Sequence, residues 1–248
     1  MNLSQAISNF PETVNLMCGR YSLSKSKIQI EERFQAEMLG DFKPRYNIAP
    51  TQLVPVITSD SPKGFSFFYW GITPDFAKNK PVSQKFINAR AESVHEKVSF
   101  KQSFQKRRCL IPADGFFEWK KLGKKTKIPY RFTLANEDAF AFAGIWEEFE
   151  NEFGENNYTF LILTTNPNSL VSEVHDRMPV ILKREDEKKW IDKYSNEEEL
   201  KNMLATYSAD EMLSYTVSPL VNSVVNDTPA IIRKTSPMDQ FGNYTLFG

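Results

Sequence analysis

Residues 108–120 read RCLIPADGFFEWK, which places two short apolar and aromatic segments close together in the chain. Segments of this length and composition favour β-strands, so we predict strands at 108–112 and 115–120. Cys109 lies in the first strand and is expected in the core.

Glu118 lies among the aromatic residues of the second strand. Burial there would raise the pKa of its carboxyl group and suit it to proton transfer. The alternative is a solvent-facing glutamate, because Phe117 and Trp119 would share the opposite face of an alternating strand. Both readings remain open at this stage.

Strand-like segments of the same kind recur along the chain. They are LVPVIT (53–58), FSFFYW (65–70), KFINAR (85–90), PYRFTL (129–134), AFAFAGIWEEF (139–149), YTFLILT (158–164) and PVIL (179–182). Helices are predicted from Ser24 or Ser26 to just before Gly40, and at 168–174, 185–193 and 196–206, where Ser195 and Glu198 suggest a capping box. Strands with helices inserted between and after them predict an α+β fold, as a single compact domain with a β-rich core and peripheral helices.

The composition limits the class of protein. The chain has 248 residues, including 20 Phe, two Cys and two His. Two cysteines cannot build a disulfide framework and the histidines lack metal-ligand spacing, so we expect a metal-free cytoplasmic protein without a cofactor. No segment approaches the roughly 18–20 apolar residues of a membrane helix, so no membrane association is expected.

The charges are unevenly distributed although the formal net charge is zero. Residues 97–131 contain eleven Lys and Arg but only two acidic residues. The segments KQSFQKRR (101–108) and KKLGKKTK (120–127) mix bases with flanking aromatic residues, as a track for a nucleic acid backbone would. The alternative is that each of these segments is only a solvated face or a turn.

Cys18 directly follows Met17, within NLMCGRY (15–21). Removal of the preceding residues would leave Cys18 with both a free amine and a thiol, which have reference pKa values near ~7.7–8.0 and ~8.5. With an aldehyde, the amine gives a Schiff base and the sulfur then closes a thiazolidine ring. A buried structural thiol is the alternative.

Three further residues could take part in such chemistry. His175, in SEVHDRMP, follows a predicted helix and could act on protons, or could simply end that helix. Asn88 offers an orienting amide, and Arg90, two residues on and on the same strand face, offers a phosphate ligand.

Nine segments, in this order, resemble the SRAP family (SOS-response-associated peptidase domain), the abasic-site processing proteins. They are MCGRY (17–21), RYNIAPTQ (45–52), WGITPDFAK (70–78), INARAES (87–93), RCLIPADGFFEWKK (108–121), FAGIWE (142–147), FLILTTNPN (160–168), HDRMPVIL (175–182) and VSPLVNSV (217–224). The resemblance implies a compact α+β fold and a groove for single-stranded DNA. It also implies a covalent crosslink to the ring-opened aldehyde of an abasic site, which would protect that site from strand cleavage.

The resemblance also implies roles for particular residues. Cys18 would supply the amine and the thiol, and Asn88 would orient the amine. Glu118 would transfer protons during Schiff-base formation and ring closure. His175 would assist opening of the sugar ring.

The DNA contacts implied by the resemblance involve a second set of residues. Arg20 and Arg90 would hold phosphates, and Pro50 and Thr164 would line the DNA path. Phe76 stands where many relatives have Trp, and could still stack on a base with less contact area. The expected partner is single-stranded DNA containing an abasic site, bound by a monomer.

The residues before Cys18 leave open whether its amine is free to react with an aldehyde. We expect an N-terminal extension at 1–16, the SRAP domain at 17–235 and a C-terminal tail at 236–248. Translation from Met17, cleavage of the extension, or a chain that forms no crosslink would each account for the extension. An autoproteolytic cysteine peptidase with Cys18 and His175, and a non-covalent module that binds single-stranded DNA, are the alternative functions.

Overall fold

The computed structural model describes residues 18–71, 86–123, 126–150 and 153–245. These residues form strands β1 (Tyr21–Leu23), β2 (Arg45–Ile48), β3 (Leu53–Thr58), β4 (Ser61–Trp70), β5 (Asn88–Arg90), β6 (Arg108–Ala113), β7 (Gly115–Leu122), β8 (Thr126–Leu134), β9 (Phe140–Glu150), β10 (Asn156–Thr165), β11 (Met178–Pro179) and β12 (Met212–Thr216). They also form helices α1 (Lys27–Phe34), α2 (Val98–Lys106), α3 (Ser169–Ser172), α4 (Glu187–Trp190) and α5 (Glu197–Asn202), with short 3₁₀ turns at Ala209–Glu211, Pro219–Asn222 and Pro229–Ile232.

One sheet closes on itself as a small barrel. Its strands follow the order β10, β4, β3, β6, β9, and β9 pairs again with β10. Apolar side chains such as Ile111, Phe142 and Phe160 are fully buried within it. Gly144 is required on β9, since a Cβ there would lie 2.3 Å from Cδ1 of Ile111. The side chains inside this closed sheet belong to the main hydrophobic core.

The second sheet carries the strand that contains Glu118. Its order is β12, β8, β7, β1, β2, so β7 lies at the centre. Phe116 joins the main core, whereas Phe117 packs on the other face in a small cluster with Val217, Val221 and Ile231. Because both faces of β7 are covered here, a polar side chain on this strand can be enclosed by protein.

Asp114 anchors β1 against this sheet. Its carboxylate accepts hydrogen bonds from Ser22 Oγ at 2.6 Å, from the backbone nitrogen of Ser24 at 2.5 Å, and from Ser24 Oγ at 2.6 Å. Arg131 Nη2 donates to the same carboxylate at 3.1 Å, so the buried charge is paired. This network holds Ser22 and Ser24 in place, a few residues after Cys18.

The α+β architecture with a β-rich core is confirmed, as is the burial of Cys109. The predicted strands at 53–58 and 65–70 form the antiparallel pair β3 and β4, although β4 already begins at Ser61. Within the predicted strand at 179–182, β11 includes only Pro179, and Ile181 makes an isolated bridge to Phe142.

The predicted cap of the helix at 196–206 is wrong by one residue. Asn196, not Ser195, caps α5, and its partner in the capping box is Glu199 rather than Glu198. Ser195 Oγ instead donates to the carbonyl of Lys189 at 2.7 Å, so the hydroxyl is not available to cap α5.

The segment 101–108 is not a continuous basic track. Most of it belongs to α2, and Arg108 is fully buried. Its guanidinium donates to backbone carbonyls of Phe104, Gln105, Trp190 and Asp192. Arg108 therefore joins α2 to the chain after α4 and is not available to a nucleic acid.

In the part of the chain that the structure describes, no helix has the length and apolar character needed to span a membrane.

Candidate active site

Three predicted residues from distant parts of the sequence meet at one point. Cys18 precedes β1, Glu118 lies on β7, and His175 lies in the turn between α3 and β11. One side-chain atom of each, the Cys18 sulfur, a Glu118 carboxylate oxygen and a His175 ring nitrogen, lies within 4.8 Å of the others. Cys18 and Glu118 are buried, whereas His175 is half-buried. The cluster combines a nucleophile with two groups that can move protons.

Glu118 points into the protein and not to solvent. It is 2% exposed, and Oε1 accepts a 2.8 Å hydrogen bond from the backbone nitrogen of Cys18. Burial raises the pKa of the carboxyl group to about 7, although His175 and the hydrogen bonds from Cys18 act in the opposite direction. A carboxyl group with this pKa can both take up and release a proton near neutral pH.

His175 is held in one orientation by the backbone of Arg177. The backbone nitrogen of Arg177 donates to His175 Nδ1 at 3.1 Å, so a neutral ring in this arrangement carries its proton on Nε2. Nε2 lies 3.9 Å from Oε2 of Glu118. The ring therefore presents its donor nitrogen to the carboxylate.

The Cys18 side chain contacts the same Arg177 backbone that orients His175. Its sulfur lies 3.7 Å from the carbonyl oxygen of Arg177, to which the thiol donates. Burial, followed by the adjacent Glu118, raises the pKa of the thiol well above its ordinary value, so the thiol is kept protonated. Cys18 also has φ 48°, in the left-handed region that a residue with a Cβ rarely adopts.

Arg177 is a component of the site that the sequence did not reveal as such. It pairs in a bidentate manner with Glu92, with Nη1 to Oε1 at 2.5 Å and Nη2 to Oε2 at 2.8 Å. Nη2 also donates to the carbonyl of Thr164 at 2.5 Å. Arg177 thus ties the turn that carries His175 to β10 and to the segment after β5. Its position beside His175 was the one signal in the sequence.

Asn88 and Arg90 lie on β5, which runs parallel to β10. Asn88 Nδ2 lies 3.5 Å from the carbonyl oxygen of Cys18, and so contacts the residue whose amine it is predicted to orient. Arg90 is exposed and lies opposite Thr164 in the register. Since residues two apart on a strand share a face, Arg90 is expected on the same face as Asn88.

Arg20 is already engaged within the protein. Its guanidinium donates to Asn47 Oδ1 at 2.8 Å and to the carbonyls of Val221 and Asn222 at 2.7 and 3.1 Å. Burial lowers its pKa to about 10. Arg20 therefore holds the 3₁₀ turn at Pro219–Asn222 beside the start of β1, and its contact with phosphate stays a prediction.

The remaining predicted DNA contacts differ in accessibility. Pro50 is half-buried in the turn after β2. Thr164 is fully buried, with its carbonyl bonded to Arg177, so it offers no surface to DNA in this structure and can support the path only through its neighbours. Phe76 lies outside the described residues.

Comparisons with known proteins identify the family of the chain. The family model described as SOS response associated peptidase (SRAP) matches residues 17–224. Abasic site processing protein YoqW of Bacillus subtilis is 43% identical over 221 residues, which cover 87% of this chain and 99% of that protein. Abasic site processing protein HMCES of Rattus norvegicus is 31% identical over 227 residues, which cover 75% of this chain and 64% of that protein.

A solved structure matches the fold. The crystal structure of a protein from Bacteroides thetaiotaomicron has a TM-score of 0.78 and 29% sequence identity, covering 88% of this chain and 100% of that one. Since the family model spans most of the chain and the relatives match over most of its length, the chain belongs to the SOS response associated peptidase (SRAP) family.

Proposed function

We propose that this protein processes abasic sites in single-stranded DNA by bonding the amine and the thiol of Cys18 to the aldehyde of the opened sugar. The names of its relatives support the substrate. The observation that carries the proposal is the 2.8 Å hydrogen bond between the Cys18 nitrogen and Glu118 Oε1, because it directs a proton-transfer group at the atom that must attack.

The first step makes an imine. In a chain that begins at Cys18, Glu118 takes a proton from the terminal ammonium and leaves a neutral amine, which adds to the aldehyde carbon. A proton passes from nitrogen to the aldehyde oxygen to give a carbinolamine. Glu118 then protonates the departing hydroxyl, water leaves, and a protonated imine remains beside the Glu118 carboxylate. Glu118 thus takes up and releases one proton in this step, as a general acid–base catalyst does.

The second step closes the ring. The Cys18 thiol gives its proton to the Glu118 carboxylate, and the sulfur forms a bond to the imine carbon. The product is a five-membered thiazolidine that contains the nitrogen and sulfur of Cys18 and the former aldehyde carbon. One water is released for each adduct, and Glu118 ends in its acid form. The same proton transfers in reverse would release the DNA.

Three surrounding residues orient Cys18, assist opening of the sugar ring or bind a phosphate of the DNA. Asn88, 3.5 Å from the Cys18 carbonyl, limits rotation of the terminal residue. His175 presents its Nε2 proton toward Glu118 and toward the space next to Cys18, where it assists opening of the sugar ring. The exposed Arg90 binds a phosphate next to the lesion.

The mechanism requires that the nitrogen of Cys18 be free, so the residues before it must be absent or removed. The backbone supports removal: the φ of 48° at Cys18 exists only while an acyl group is attached to its nitrogen, and this left-handed conformation costs about 1–2 kcal/mol. Cleavage before Cys18 releases that strain.

Self-cleavage before Cys18 is the second candidate function, and the same hydrogen bond favours it. In that cleavage a water adds to the carbonyl carbon of residue 17 and leaves it as a carboxyl group, while the Cys18 nitrogen departs. Glu118 lies 2.8 Å from this nitrogen, where it can protonate the departing amine. Intact-mass measurement of the full chain over time tests this activity. Glu118→Gln is expected to keep residues 1–17, whereas the exposed control Glu148→Gln is expected to lose them.

Incubation with a single-stranded oligonucleotide that carries one abasic site tests the principal function. The chain beginning at Cys18 is expected to give an adduct that survives denaturing electrophoresis, with a mass equal to protein plus DNA minus one water. Cys18→Ala removes the sulfur and is expected to prevent the stable adduct. Cys109→Ala is the matched control, because Cys109 is the other cysteine of the chain and lies in the core.

Two results would separate the alternatives. An adduct of equal yield and stability from Cys18→Ala would exclude the thiazolidine. Binding that ignores the lesion and is unchanged by Cys18→Ala would identify a non-covalent module that binds single-stranded DNA.

A further inference from the structure

The active-site cluster also has the composition of a metal site. Among the described residues, Cys18, Glu118 and His175 bring a sulfur, a carboxylate oxygen and an imidazole nitrogen within 4.8 Å of one another. A free amine on Cys18 adds a fourth donor, since the nitrogen and sulfur of one cysteine close a five-membered chelate ring. Nitrogen, sulfur and oxygen donors in a set of four are the ligands of tetrahedral zinc.

The distances are close to those that such an ion requires. Metal–ligand bonds of about 2.0–2.3 Å in a tetrahedron place the ligand atoms about 3.3–3.6 Å apart. His175 Nε2 and Glu118 Oε2 are separated by 3.9 Å. The sulfur lies within 4.8 Å of its partners and so needs a movement of at most about 1 Å, which is within the reach of a side-chain rotation.

The carbonyl oxygen of Arg177 provides the outer contact that a ligating histidine needs. Histidines that bind metals donate their second ring N–H to a carbonyl or a carboxylate, which fixes the tautomer. His175 Nδ1 lies 3.1 Å from this carbonyl oxygen, which also accepts from the Cys18 thiol at 3.7 Å. When an ion binds Nε2, the ring proton moves to Nδ1, which then gives up the hydrogen bond it accepts from the Arg177 nitrogen and donates to the Arg177 carbonyl instead.

The donor set also selects the kind of ion. Thiolate and imidazole ligands favour zinc and similar transition metals, whereas magnesium and calcium prefer oxygen ligands. A thiolate and the Glu118 carboxylate would balance the two charges of the ion. Cys18 and Glu118 are buried, so the ion would be shielded from water on that side, and the half-buried His175 marks the side of entry.

We infer that Cys18, Glu118 and His175, with the free Cys18 amine, bind a zinc-class divalent cation, and that this ion and the abasic aldehyde exclude each other. The ion uses the nitrogen and the sulfur that the aldehyde must bond. The metal binding does not depend on the proposed function, whereas the mutual exclusion of the ion and the aldehyde rests on it. A cation at this site would hold the protein in a protected, unreactive form.

Cobalt provides the test of binding, because a Co²⁺–thiolate bond gives a charge-transfer absorption. The sheets and core described above follow Cys18, so a chain of residues 18–248 can be titrated with Co²⁺ and then with Zn²⁺. The expected result is one Co²⁺ per chain with a thiolate band that Zn²⁺ abolishes. Cys18→Ala is expected to remove the band, and Cys109→Ala to keep it.

Two further proteins test the ligand set. His175→Ala is expected to bind at least about tenfold more weakly, since loss even of a group that supports a ligand weakens metal binding roughly 10–100-fold. The full chain that retains Met17 lacks the free amine and is expected to be weakened by at least the same factor. Absence of a thiolate band in the 18–248 chain, or a band unaffected by His175→Ala, would overturn the inference.

The exclusion is measured with the abasic oligonucleotide. Stoichiometric Zn²⁺ is expected to slow adduct formation by at least about tenfold, in proportion to the occupied fraction, and a chelator is expected to restore the rate. A thiolate band without any adduct in the absence of metal would disprove the proposed function and leave the metal site standing. An adduct rate indifferent to bound Zn²⁺ would disprove the exclusion alone.

Discussion

The backbone nitrogen of Cys18 and Oε1 of Glu118 lie 2.8 Å apart, so a buried carboxyl group directly faces the atom that would attack the abasic aldehyde. Glu118→Gln keeps the size of the side chain and its capacity to hydrogen-bond, but removes the titratable proton. We expect this variant to form the adduct roughly 10²–10⁴-fold more slowly, which is the usual contribution of general acid–base catalysis. Single-turnover rates on an abasic oligonucleotide measure the effect.

Glu148→Gln is the matched control for this variant, because Glu148 is an exposed glutamate on β9. It is expected to react at the wild-type rate. If Glu118→Gln reacted as fast as Glu148→Gln, proton transfer by Glu118 would not limit adduct formation.

Glu118 also predicts how stability depends on pH. In the full chain, burial raises its pKa from 4.5 to about 7. Between these values the unfolded chain has already lost the proton that the folded chain keeps, so the free energy of unfolding falls as pH rises. At about 1.4 kcal/mol per pKa unit, the loss is about 3 kcal/mol, complete above pH 7.

Denaturant unfolding of the full chain at a series of pH values between 4 and 8 measures this effect. Glu118→Gln cannot ionise, so its stability is expected to fall less than that of the wild type over the same interval. In a chain that begins at Cys18, the adjacent ammonium favours the carboxylate, and the fall is expected to be smaller. Parallel profiles for the wild type and Glu118→Gln would contradict the raised pKa.

The sequence predicted which three side chains lie together better than it predicted the contacts that hold them there. Cys18 could be singled out because its chemistry depends on its place in the chain, and Glu118 and His175 because titratable groups stood in recognisable segments. Alternation along β7 could not decide whether Glu118 faced solvent. Glu118 shares a face of β7 with Phe116. The sequence does not show that Cys18 and the turn carrying His175 lie against the carboxyl group on that face.

Arginine roles were the hardest to predict, because they depend on contacts between distant segments. Arg108 belongs to a basic run that predicts a DNA track, yet it is buried against carbonyls of α2, of Trp190 at the end of α4 and of Asp192. Arg177 and Glu92 are separated by 85 residues, and no local pattern links them. Their pairing follows from the parallel alignment of β5 with β10.

Arg177 is expected to act as a positioning residue for His175 and Cys18. Arg177→Lys keeps the charge but cannot form the bidentate pair with Glu92 and also bond to Thr164. We expect the free energy of unfolding to fall by about 1–3 kcal/mol, as when a charged hydrogen bond is lost. Adduct formation is expected to slow as well, because the turn that carries His175 is loosened.

The exposed Arg184 provides the control for this substitution. Arg184→Lys is expected to change neither stability nor rate. A role of Arg177 in stability alone would leave the adduct rate of Arg177→Lys unchanged at temperatures where the variant is fully folded, and that outcome would contradict the positioning role.

Arg90 and Arg20 are expected to differ in the salt dependence of DNA binding. Arg90 is exposed beside the site, whereas the guanidinium of Arg20 already donates to Asn47 and to two carbonyls. Each phosphate contact with single-stranded DNA contributes about 0.7 to the slope of log K against log salt. Arg90→Ala is therefore expected to reduce that slope by about 0.7 while leaving the free energy of unfolding unchanged.

Arg20→Lys is expected to give the opposite pattern. It should lower the free energy of unfolding by about 1–3 kcal/mol, since one ammonium cannot reach Asn47 and both carbonyls as the planar guanidinium does, and should keep the wild-type slope. Fluorescence anisotropy with a labelled oligonucleotide at several salt concentrations measures the slopes. If Arg20→Lys reduced the slope and Arg90→Ala did not, the phosphate contact would belong to Arg20, and its bonds to the 3₁₀ turn would have to open when DNA binds.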